Sequence, residues 1–214
     1  MPERPFRRPD ALSLAAALVG WGFVAPRLRS GWRAVVQAGV GALLVRLTRA
    51  PLGLRPPRLW TGLRWGAAAG AAAAAVIAGT TAFAPVRLSM SARQLPASTP
   101  AWLLLRIPVG TVWAEEAAFR AALAHLAARA AGDAVGGRLL QAGAFGLFHI
   151  PDARATGEPV AATVLATGLG GWAFGWLADR SGSLAAPMLA HLAVNEAGAI
   201  AASLVQRSRV KQHR

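Results

Sequence analysis

The sequence has no cysteine, which removes disulfides, thiolate metal sites and a cysteine nucleophile. Acid is scarce too: nine Asp and Glu against 23 Lys and Arg, for a net charge of +14. Lysine is nearly absent, since Lys211 is the only one. Only 15% of the residues are charged, where a soluble domain carries about 25%. A water-soluble fold has too few charges here to cover its surface. No recognised nucleic-acid motif accompanies the basic balance, so nucleic acid is not an expected partner. The arginines lie mostly between apolar stretches, where they flank helices and meet anionic headgroups.

Apolar residues are what the chain does have, at 55%. Alanine- and leucine-rich runs recur at the length of a spanning helix, about 17–25 residues. The expected fold is all-α, a polytopic transmembrane bundle of about six to eight helices, with residues 1–214 as one integral membrane domain. The expected partner is the lipid bilayer, in a multi-pass cell-membrane protein. The arginine-over-lysine bias points to a bacterial plasma membrane.

Helices are expected at 11–25, 31–47, 66–84, 101–130, 138–150, 160–178 and 184–205. The first follows Arg7-Arg8 and is read as a retained helix rather than a cleaved signal. Residues 48–64, with Pro51, Pro56 and Pro57, read as a cytoplasmic loop. Residues 87–100 and 151–159 read as polar loops. The stretch 101–130 is too long for one ordinary span, and Pro108 with Gly110 is expected to kink it. Both ends are basic, which favours both in the cytoplasm; seven spans conflict with that.

Within these apolar helices lie a few polar groups. Glu115-Glu116 is followed by Arg120, one turn beyond Glu116 on the same face. Glu115 is offset from that pair by about 100° and needs another partner or a task. His149 ends Phe145-Gly146-Leu147-Phe148-His149. His191 and Asn195 are one turn apart on a third helix. Each taken singly has an ordinary structural reading: an ion pair, a core histidine bonded to a carbonyl, interhelical glue. Three helices bearing such costs together point to a site. The chemistry fits peptide-bond hydrolysis. A carboxylate takes a proton from water, a histidine orients that water, and a second histidine with an amide donor holds the oxyanion. His125 reads as interfacial, His213 as tail, and Glu196 has no assigned role.

Glu115-Glu116-x-x-x-Arg120, Phe145-x-x-x-His149 and His191-x-x-x-Asn195, in this order, resemble the motifs of the CAAX-protease and bacteriocin-processing family of intramembrane endopeptidases. The approach Gly182-Ser183-Leu184 to Pro187 is similar as well. The resemblance covers a motif core at residues 101–201. It implies an all-helical membrane fold with a cavity open to the cytoplasm and a peptide or protein substrate at the membrane. It implies catalytic Glu115 and His149 activating water, His191 and Asn195 at the oxyanion, and supporting Glu116 and Arg120. Ala121 departs from the glycine many members have after the arginine, which bears on packing. Many members carry a metalloprotease label. Zinc on Glu115, His149 and His191 is the metal alternative; the metal-free reading needs no cofactor, uses the same residues and also gives Asn195 a role. The rival functions are a non-catalytic scaffold or bacteriocin-immunity protein of the same fold, and a proton-relay transporter. The transporter predicts an internal repeat, which is not found. A serine rhomboid-type protease fits poorly, because Ser183 precedes its helix.

Overall fold

The computed structural model describes residues 8–96 and 98–212; Arg7 and His213 lie outside them. It is helical throughout, and no strand occurs among the described residues. In chain order, α1 is Arg8–Val24, α2 Ser30–Thr48, α3 Arg58–Thr80 and α4 Ala84–Ala92. A long helix, α5, covers 99–131. Then come α6 Ala134–Phe148, α7 Ile150–Thr156, α8 Val160–Ser181 and α9 Ala185–Gln212.

Seven of these are long, and short α4 and α7 lie between them in the chain. α1, α3, α8 and α9 are each long and apolar enough to cross a membrane. Their outer faces carry large apolar side chains such as Leu165, Leu169, Val76 and Ile200. Water would not tolerate so much contiguous apolar surface, whereas lipid matches it. The chain is a multi-pass membrane protein.

Small residues set how the helices pack. Gly62, Gly66 and Gly70 recur every fourth residue on α3 and lie in order against Ser183, just before α9, and Ala186 and Ala193 on α9. The two helices are therefore parallel and in close backbone contact, as small-residue stripes allow in membranes. A Cβ added at Gly66 would sit 2.8 Å from the Ala186 carbonyl oxygen and 2.9 Å from Leu189 Cβ. Gly66→Leu is therefore expected to destabilise the fold by about 1–3 kcal/mol through overpacking. Thermal unfolding in detergent measures it; an unchanged midpoint would mean α3 and α9 can separate at no cost. α2 and α5 are likewise parallel, with Gly41 against Ala114 and Ala34 against Gly110, while α6 and α8 run antiparallel.

Several sequence expectations need correction. α3 begins at Arg58, so the interhelical loop is shorter than 48–64. The stretch 87–100 begins inside α4, and α7 occupies most of 151–159. Proline explains both: Pro85 and Pro151 sit in the first turn of their helices, where the missing N–H costs nothing. The 101–130 stretch stays helical through Pro108. It widens into π-helical turns over Trp102–Trp113 and again over Glu116–Leu123. Such i→i+5 turns are rare and concentrate at functional sites.

Candidate active site

The centre of the bundle is a charged cluster in an aromatic box. Phe119, Phe145 and Leu123 pack with Leu18 in the largest apolar cluster. Glu116 and Arg120, both fully buried, lie beside it on α5 with Arg120 Nη1 3.2 Å from Glu116 Oε1. The contact is an ion pair by distance, yet its angles do not make a hydrogen bond, and Arg120 Nε and Nη2 also have no partner. The guanidinium instead lies over the Phe145 ring at 3.8 Å and near Phe174 at 5.2 Å. Cation–π attraction is strong where water is excluded.

His191 joins this pair from α9. Its Nδ1 lies 2.7 Å from Glu116 Oε1, and a carboxylate only accepts, so Nδ1 carries the hydrogen and donates it. The ring stacks on Phe174 at 4.9 Å. Its other nitrogen, Nε2, stands 3.9 Å from Glu115 Oε2, beyond direct hydrogen-bond reach. One imidazole thus lies between two adjacent carboxylates. In a regular α-helix, neighbours point about 100° apart; the wide turns on either side of Glu115 accompany this unusual convergence on one ring.

Glu115 also faces a cavity of about 700 Å³, whose wall includes His149, Asn195, Thr111, Gln37 and Arg33. His149 sits at the α6–α7 junction. Its Nδ1 is 2.8 Å from the Phe145 carbonyl oxygen, so that nitrogen donates and Nε2 is left for the cavity. Asn195 donates one amide hydrogen to the His191 carbonyl oxygen at 3.1 Å, which fixes its side chain and leaves the second N–H for another acceptor. Glu196 is not part of the wall. The cavity therefore brings together Glu115, His149 and Asn195, with His191 directly behind Glu115.

The mouth lies among the end of α1, the start of α2 and α7. The 49–57 loop lies at the other end of the bundle, where the Leu52 carbonyl accepts from Leu184 N at 2.8 Å. That loop and the cavity cannot both be cytoplasmic. Ala121, at the glycine position of the resemblance, is buried with Ala50 and Leu184; its methyl is absorbed in packing.

The zinc alternative needs Glu115, His149 and His191 gathered around one point. Among the described residues, no three His, Asp or Glu side chains are gathered closely enough to hold a metal ion. His191 donates its Nδ1–H to Glu116 and keeps Nε2 open, 3.9 Å from Glu115 Oε2.

Sequence reading missed Phe145 and Phe174 as the faces that hold Arg120 and His191. Phe145 was visible as the first residue of its motif; Phe174 had no polar neighbour to mark it. Thr111 was findable, one turn before Glu115.

Comparison with known proteins agrees with this picture. Residues 97–197 match the family model described as Rce1-like, type II CAAX prenyl endopeptidase. No curated protein and no solved structure matches the chain. The matched segment runs from the start of α5 to just past Asn195, and so carries every residue of the central cluster. The match supports the CAAX-protease family for the segment 97–197 of this multi-pass membrane protein.

Proposed function

We propose that the protein hydrolyses a peptide bond with water activated by Glu115, without a metal. The observation that carries the reading is the shared cavity: Glu115, His149 and Asn195 on one wall, with His191 against Glu115. Glu115 takes a proton from water held between its carboxylate and His149 Nε2. The water oxygen attacks the carbonyl carbon, and the carbonyl electron pair moves to oxygen. The free N–H of Asn195 donates to that oxyanion, and His191 Nε2 donates when it carries its second proton. The tetrahedral carbon then reforms its carbonyl. Its C–N bond breaks, and Glu115 returns the proton to the leaving amine.

Glu116 and Arg120 stay out of the chemistry. Glu116 fixes the His191 ring, and Arg120 neutralises Glu116. The substrate is a peptide or protein segment entering from the side of α1, α2 and α7. The arginine-rich, lysine-poor composition supports a bacterial plasma membrane as its setting.

The test is proteolysis of a peptide library by purified protein. Wild type is expected to cleave, and His149→Ala to lose about 10²–10⁴-fold in rate. Equal activity in His149→Ala would remove the water-activating role. No cleavage by wild type, with partner binding unchanged in the variants, would favour the scaffold or immunity protein.

A further inference from the structure

A second recess, about 240 Å³, opens at the bundle end away from the cavity mouth. It contains neither Glu115, His149 nor Asn195. Its polar wall is Arg58, Arg120, His125, Arg138, Asp179 and Ser183. Arg120 marks the inner end on α5, while Arg58 stands at the exposed start of α3. We propose that this recess binds a phosphate group, either as the headgroup of an anionic lipid or as free phosphate.

The case begins with unmet donors. Arg120 is completely buried, and its Nε and Nη2 have no hydrogen-bond partner. Glu116 answers its charge on one side only. Arg138 gives Nη1 to Asp179 at 2.7 Å, while its Nε is buried and unpartnered. Buried polar groups are normally satisfied, so each exception calls for a ligand or water. Guanidinium forks on two sides match the oxygens of a phosphate better than any neutral group.

Charge points the same way. Three arginines line the recess, with the Arg120 side chain buried at its inner end, and Asp179 is the one carboxylate among the lining residues. The start of α9 adds no free donors: Leu184 N bonds the Leu52 carbonyl and Ala185 N bonds Ser183 Oγ. The arginines therefore carry the recognition. Arg58 opens α3, a helix long and apolar enough to cross a membrane, so the recess lies at one end of that helix. A volume of several waters leaves room for the group.

The experiment uses the full chain in a neutral maltoside detergent. Its melting midpoint is read in sodium phosphate and in sodium chloride at matched ionic strength. Phosphate is expected to raise the midpoint saturably, and Arg58→Gln to weaken the apparent affinity at least tenfold. Arg58 is exposed and outside the central cluster, so its variant is expected to fold and to keep peptidase activity. Arg138→Gln repeats the test from inside the recess.

A second arm compares bilayer discs of phosphatidylglycerol and of phosphatidylcholine in a buffer without inorganic phosphate. Protection by phosphatidylglycerol alone, lost in Arg58→Gln, would identify a lipid headgroup. Protection by inorganic phosphate as well would identify a general phosphate site. Equal midpoints in phosphate and chloride together with equal midpoints in the two lipids, or an unaltered phosphate response in both variants, would overturn the proposal. The recess would then hold only water.

Discussion

Glu115→Gln is expected to leave a folded protein whose peptidase rate is at least about 10³-fold lower, within the usual contribution of a positioned base. Glutamine keeps the shape and the α5 helix, and it cannot take a proton from water. The substitution is also electrostatically mild. Glu116 and Arg120 still pair behind it, and His191 still donates to Glu116. Glu115 Oε2 has no hydrogen-bond partner to lose. The melting midpoint should therefore stay near that of wild type while turnover collapses. That split separates a base from a structural carboxylate. Should Glu115→Gln keep more than a tenth of wild-type turnover, the base lies elsewhere and the cavity needs another reading.

Much of this site was legible because lipid makes polar residues conspicuous. Glu116–Arg120, His149 and His191–Asn195 stood out against alanine and leucine, and their helical spacing gave the faces. The all-helical fold followed from the same contrast. What the sequence hid was backbone geometry. A period of 3.6 residues separates Glu115 from Glu116, and only the π-helical turns of α5 reveal how both meet His191. The pairing of helices was also hidden. Glycines at 62, 66 and 70 lie on one face of α3, and nothing in their spacing names α9 as the partner. Phe174 illustrates the third limit: an aromatic residue in a membrane helix has no distinguishing mark until a cation or an imidazole is found on its face.

The other large effect concerns Arg120. Glu116 has no exposure at all, so its charge is answered by Arg120 and by the His191 hydrogen bond alone. Arg120→Leu removes the cation and leaves a buried carboxylate facing one imidazole. Breaking a buried pair from one side costs about 3–5 kcal/mol, far more than deleting both charges. For a chain of this length that corresponds to a fall in melting midpoint on the order of 10 °C. Arg120→Lys should recover only part of it. An ammonium restores the charge without the planar face that lies on Phe145 at 3.8 Å. The decisive comparison is the double variant Glu116→Gln with Arg120→Leu. Glutamine removes the uncompensated charge and still accepts from His191 Nδ1, so the double variant should melt above Arg120→Leu alone. That recovery would show the cost to be electrostatic rather than lost packing around the Phe119, Phe145 and Phe174 rings. If the double variant melts at or below Arg120→Leu, the cation–π stack, not the ion pair, holds α5 against α6 and α8.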